Sequence, residues 1–120
     1  MNKAGNDPIV NIMFRNTDHS DALEHKIRDR IDKLSHMRRD SVSCHVVIEM
    51  HHRHHQQGNH FHVLVDVAVP GQELLTYNQS DKNKFYSDPF VAVRDAFDAM
   101  DRKLRDVTER QRGQIKTHQV

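Results

Sequence analysis

The stretch Phe61-His62-Val63-Leu64-Val65-Asp66-Val67-Ala68-Val69 decides the fold. Phe61, Val63, Val65, Val67 and Val69 alternate with His62, Leu64, Asp66 and Ala68. A period of two sends successive side chains to opposite faces, so this stretch reads as a strand with one buried face. The same pattern precedes it: Val42, Cys44, Val46, Ile48 and Met50 alternate with Ser43, His45, Val47 and Glu49. Residues 51–59 interrupt the alternation and end in the turn signal Gly58-Asn59. Two such strands joined by a short break predict an antiparallel pair. After Val69, Pro70-Gly71 marks another turn, and Glu73 to Asn78 predicts a weaker further strand. Gln79 to Ser87 reads as a polar loop.

Outward from this centre the period changes. Upstream, Leu23, Ile27, Arg30, Ile31 and Leu34 recur at helical spacing, with Ser20 as a cap and Asp21 and Glu24 in the first turn. The first helix is expected from Asp21 to Leu34. Ile9, Val10, Ile12, Met13 and Phe14 before it fit a strand. Downstream, Asp88-Pro89 suits a cap followed by proline at the first helical position. Phe90, Val93, Phe97, Met100, Leu104 and Val107 carry the rhythm of a second helix, expected from Pro89 to Arg112 with Gly113 as its stop.

The order is therefore β-α-β-β-β-α. A helical crossover makes the first two strands parallel if they are neighbours, and short turns make the last three an antiparallel meander. Each helix has one apolar stripe to bury, so both belong on one face of a four-stranded mixed sheet, leaving the other face to water. This is an α/β fold, an α+β two-layer sandwich. The 120 residues suit a single domain, with 1–7 and 114–120 expected as flexible tails.

Composition narrows the function by exclusion. Lys plus Arg exceed Asp plus Glu by one, so a nucleic-acid partner must be met by a local patch rather than by overall charge. The single Cys44 excludes an internal disulfide and falls on a predicted buried face, where a reactive thiol is not expected. Met1 to Asp7 is polar, and no apolar run approaches the ~20 residues of a membrane helix. A cytoplasmic protein without a membrane partner is the simplest expectation. No nucleophile elbow or glycine-rich phosphate loop accompanies the Ser, His and Asp residues, so neither an enzyme nor a small-molecule substrate is expected, and no cofactor.

The residues that remain are bases and histidines. In the first helix Lys26, Arg30 and Lys33 share one flank of the apolar stripe, and RNA phosphates favour such segregated cations. In the second, Asp98 and Arg102, Asp101 and Arg105, and Asp106 and Arg110 are acid-to-base pairs at i, i+4, a spacing that supports the helix itself. From Arg102 to Lys116 six bases face two acids, a net of +4. Eleven histidines are the compositional oddity, six of them between His51 and His62. His60, His62 and Asp66 alternate onto the open face of one strand, and His45 and Glu49 onto that of its neighbour. A metal-binding hairpin over 51–62 is thus an alternative, although no Cys-x-x-Cys or His-Glu-x-x-His spacing is present and no metal ligand is assigned. RNA contact through Arg53, His54 and His55 is another. Exposed histidines gain charge on mild acidification, so RNA affinity is expected to rise as pH falls, carried by His51, His52, His54 and His55.

Taken together these stretches resemble the ribosome hibernation-promoting and ribosome-associated inhibitor family. The resemblance runs from about Ile9 to Lys116. It is carried by Ser20-Asp21-Ala22-Leu23 and Arg30-Ile31-Asp32-Lys33-Leu34 in the first helix, and by Asp88-Pro89-Phe90-Val91-Ala92-Val93 with Asp98, Arg102, Leu104 and Arg105 in the second. His52-Arg53-His54-His55, Gly58-Asn59, His62-Val63 and Val69-Pro70-Gly71 look like a histidine-rich branch of it. The resemblance implies a fold similar to double-stranded-RNA-binding domains and no catalysis. It also implies a short member without the additional dimerisation domain. The implied partner is the small ribosomal subunit and its rRNA, bound across the mRNA and tRNA sites so that translation stops. Lys26, Arg30, Lys33, Arg94, Arg102, Arg105, Arg53, His54 and His55 are the expected RNA contacts. A generic double-stranded-RNA binder is a further alternative.

Overall fold

A computed structural model describes residues 7–52 and 59–118. The chain runs β1 (Ile9–Arg15), α1 (Asp21–Ser35), β2 (Ser43–His52), β3 (Asn59–Ala68), β4 (Leu75–Asn78) and α2 (Pro89–His118). The strands form one sheet in the order β1-β2-β3-β4. β1 lies parallel to β2, while β3 is antiparallel to both β2 and β4. Both helices pack on one face of this mixed sheet, as the two apolar stripes require.

Local chemistry sets the boundaries. Ser20 adopts extended backbone and its Oγ accepts from the Leu23 N–H at 3.2 Å, satisfying a donor that the first helical turn leaves over. Asp88 does the same for α2, its carboxylate accepting from the Phe90 N–H at 2.9 Å, and Pro89 follows as the first helical residue. Gly71 takes a φ of +75° in the turn after β3, a conformation that strains other residues.

Gly113 does not stop α2, which continues to His118. Nothing lies within 4 Å of where its Cβ would be, so the position is a solvent-facing interior site rather than a left-handed cap. An interior glycine costs about 1 kcal/mol relative to alanine, too little to end a helix whose flanking residues favour it.

The core lies between sheet and helices. Ile27, Ile31 and Leu34 of α1, Val46 and Ile48 of β2, Val63, Val65 and Val67 of β3, and Val93, Phe97, Met100 and Leu104 of α2 are all fully shielded. Burying each of these larger side chains contributes roughly 2 kcal/mol. One polar side chain belongs to this core. Gln79 is fully buried; its Oε1 accepts from the Val63 N–H at 2.9 Å and its Nε2 donates to the Ala92 carbonyl at 2.9 Å. A residue that reads as loop thus ties the edge of β3 to the first turn of α2.

The opposite face of the sheet is only partly open. Register aligns Asn11, His45, Asp66 and Thr76 in one cross-strand row. His45 Nδ1 is 2.7 Å from Asn11 Oδ1, and Thr76 donates to Asp66 at 2.8 Å. The next row, Met13, Val47, Leu64 and Asn78, buries Val47 to 5% exposure between its neighbours.

Candidate nucleic-acid interface

The two helices lie side by side and run in the same direction: Arg30 meets Asp98 and Asp101, and further along Arg38 meets Thr108 and Gln111. Arg30 is the centre of this seam. Its Nη2 donates to Asp98 at 2.9 Å and to Asp101 at 2.8 Å, and its guanidinium sits 5.7 Å from the centre of the Phe97 ring. The side chain is only 10% exposed. Arg30, expected as an RNA contact on the flank of α1, forms the clasp between the helices.

This pairing changes the state of α2. Asp98 and Asp101 bind Arg30, so Arg102 and Arg105 lack the i, i+4 partners that spacing assigned to them. Both are exposed and, among the described residues, form no ion pair. Residues three or four apart are neighbours on a helix surface. Lys26 and Lys33 therefore flank Arg30 on α1, and Arg94, Arg102 and Arg105 flank the two aspartates on α2. All five are exposed. Arg94 makes only a 3.4 Å contact with neighbouring Asp95. The five cations surround a clasp whose own charges sum to −1 (one Arg, two Asp), so the band carries about +4 before Asp95 and other nearby acids are counted.

At the C-terminal end of the seam lies a second basic feature that spacing alone did not assign. Residues 36–40, joining α1 to β2, fold back against α2. Arg38 is bound on both sides: Nε and Nη2 donate to Asp40 at 2.8 and 2.7 Å, and Nη1 donates to Gln111 at 2.7 Å. The hydrogen bonds from Arg38 hold the Asp40 carboxyl below its ordinary value and raise the guanidinium in return. Gln111 passes the connection on by donating to the Pro70 carbonyl at 3.2 Å. The anchored segment places His36 beside Arg105 and Arg112 in a groove of about 330 Å³, and Arg39 shares an adjoining groove with Arg112. The run Met37-Arg38-Arg39 was the available signal, but only the fold brings it to α2.

The hairpin gives a different picture from the one expected. Arg53, His54 and His55 lie outside the described residues. His62 is buried rather than exposed, at 7%. Burial, and then the proximity of His51, lower its pKa. Its ring stacks on His51 with centroids 4.6 Å apart, and Phe85 stands edge-on to both at 5.5 Å. His62 therefore resists gaining charge on mild acidification.

No helix among the described residues is long and apolar enough to cross a membrane. Cys44 is buried, and its thiol is pushed up to about 12, chiefly by that burial.

Comparison with known proteins agrees with this architecture. No curated protein matches the sequence. Among solved structures, the N-terminal domain of Protein Y from Thermus thermophilus is similar in fold, with a TM-score of 0.63 at 16% identity, covering 84% of this chain and 99% of that one. The family model described as "Sigma 54 modulation protein / S30EA ribosomal protein" matches residues 10–112. That span takes in β1 but for Ile9, the other three strands, α1 and most of α2, so the chain belongs to this family of ribosome-associated hibernation factors.

Proposed function

We propose that the protein binds the small ribosomal subunit through its two-helix face, contacts rRNA phosphates there, and inhibits translation by occupying the path of mRNA and tRNA. Residues 1–120 act as a single ribosome-binding domain in the cytoplasm, without catalysis. The observation that carries this reading is the capture of Asp98 and Asp101 by Arg30. It offsets one of the two carboxylate charges and leaves Lys26, Lys33, Arg102 and Arg105 as exposed cations beside one seam. Cations held in register on a rigid surface are what a phosphate backbone rewards, because each contact releases counterions. A groove lined by His36, Arg105 and Arg112 together with Met37, Thr108 and Glu109 adjoins this surface through Arg105.

The test is sedimentation of the purified protein with isolated small subunits and with a plain RNA duplex, alongside inhibition of cell-free translation. Retention on the subunit with inhibition supports the proposal. Equal retention on any duplex makes the protein a generic double-stranded-RNA binder instead.

A further inference from the structure

Glu49, His51 and His62 form a cluster on the sheet face away from the helices, so the RNA-binding proposal does not use them. Glu49 and His62 are directly paired across β2 and β3, and His51 follows Glu49 on the same face of β2. One ligand atom from each residue lies within 4.8 Å of the other two. His62 Nε2 is 3.3 Å from Glu49 Oε1. That separation equals the edge of a tetrahedron whose metal–ligand bonds are about 2.0 Å long, the length of zinc–imidazole and zinc–carboxylate bonds.

Two further features point to a missing ligand. His51 Nε2 is buried and has no hydrogen-bond partner. Buried polar atoms normally find partners, and leaving one unsatisfied costs about 1–3 kcal/mol. Phe85 walls the site edge-on against both imidazoles. This shields the cluster on that side.

We propose that Glu49, His51 and His62 bind a divalent transition-metal ion of the zinc class. The ion takes one carboxylate oxygen and one nitrogen from each imidazole, and a water completes the tetrahedron. The His62 ligand atom is Nε2, the nitrogen that faces Glu49. Because the ligands come from β2 and β3, the ion ties together the two strands that lead into and out of residues 53–58. The site is a strap on the hairpin, separate from the two-helix surface and independent of the ribosome-binding reading.

The experiment is calorimetric titration of Zn2+ into the metal-stripped full chain, with Co2+ absorption reporting coordination geometry. The expected result is one equivalent bound, tetrahedral Co2+ bands, and a thermal midpoint that rises with zinc. Glu49→Gln and His62→Gln should each lower the affinity by more than about tenfold, since even outer-shell changes commonly cost 10- to 100-fold. His54→Gln/His55→Gln should leave it unchanged. If His62→Gln fails to fold by circular dichroism, Glu49→Gln, which keeps size and shape, decides. Three results overturn the proposal: no stoichiometric binding by the wild type, undiminished binding by Glu49→Gln, or loss of binding in the His54/His55 variant.

Discussion

Arg30 and Asp101 lie 71 residues apart in sequence and 2.8 Å apart in space. Together with Asp98 they turn two helices with no shared loop into one surface. The pair is shielded on the arginine side, while Asp98 remains about half exposed, so its contribution falls below that of a fully buried bridge.

Replacing Arg30 separates clasp from contact. Arg30→Met should destabilise the fold by about 2 kcal/mol, because two carboxylates then share the seam without a cation. Urea denaturation measures this. Under conditions where the variant remains folded, its ribosome affinity should change less than that of a surface variant. A variant of wild-type stability that fails to bind would make Arg30 an RNA contact after all.

Charge reversal on the rim should do the opposite. Arg102→Glu/Arg105→Glu should leave stability within about 0.5 kcal/mol, as for most surface changes. It should weaken subunit binding and reduce the slope of log K against log salt by about 0.7–0.9 for each phosphate that is no longer neutralised. Affinity measured from low to moderate salt provides the slope, and an unchanged slope would remove this face from the interface.

Gln79→Ala should destabilise by about 2–3 kcal/mol, leaving the Val63 N–H and the Ala92 carbonyl without their partner. Gln79→Leu, which restores the bulk but not the hydrogen bonds, should recover little of this. Thermal unfolding of both variants checks the claim; full recovery by leucine would assign the role to packing.

Cys44 should resist alkylation at pH 8 in the native state and react readily in denaturant. Burial that pushes its thiol up to about 12 also keeps reagents out. Fast labelling of the folded protein would show that the β2 face is not closed.

Asp40 predicts part of the acid limb of stability. Its folded pKa lies below the ordinary 3.8, so its contribution is present above that value and disappears as pH falls through the folded one. The stability difference between wild type and Asp40→Asn should therefore be constant near neutrality and shrink below pH 3.8. A difference that stays constant into strong acid would mean that the Arg38–Asp40 pair does not act through charge.

The sequence by itself determined the elements and their layering. Alternation over 42–50 and 61–69 and the helical stripes of α1 and α2 are repeats between near neighbours, and those repeats dictate which faces must be buried. The same local logic found the caps at Ser20 and Asp88 and the family to which the chain belongs. Gly113 reads as a stop, wrongly, because a glycine's local signal is the same at a helix stop and at an exposed interior position. The site was legible only as a set of bases. Whether an arginine meets phosphate or carboxylate can depend on partners that arrive from 68 and 71 residues away, as they do for Arg30. Spacing assigned Asp98 and Asp101 to Arg102 and Arg105; packing gave them to Arg30, because a shielded guanidinium needs carboxylates far more than an exposed one does. The burial of His62 followed the same rule. Its place in the alternation was plain, but the ring stacked on it and the Phe85 beside it come from another strand and another loop, and only the tertiary structure decided that this histidine would be held away from water.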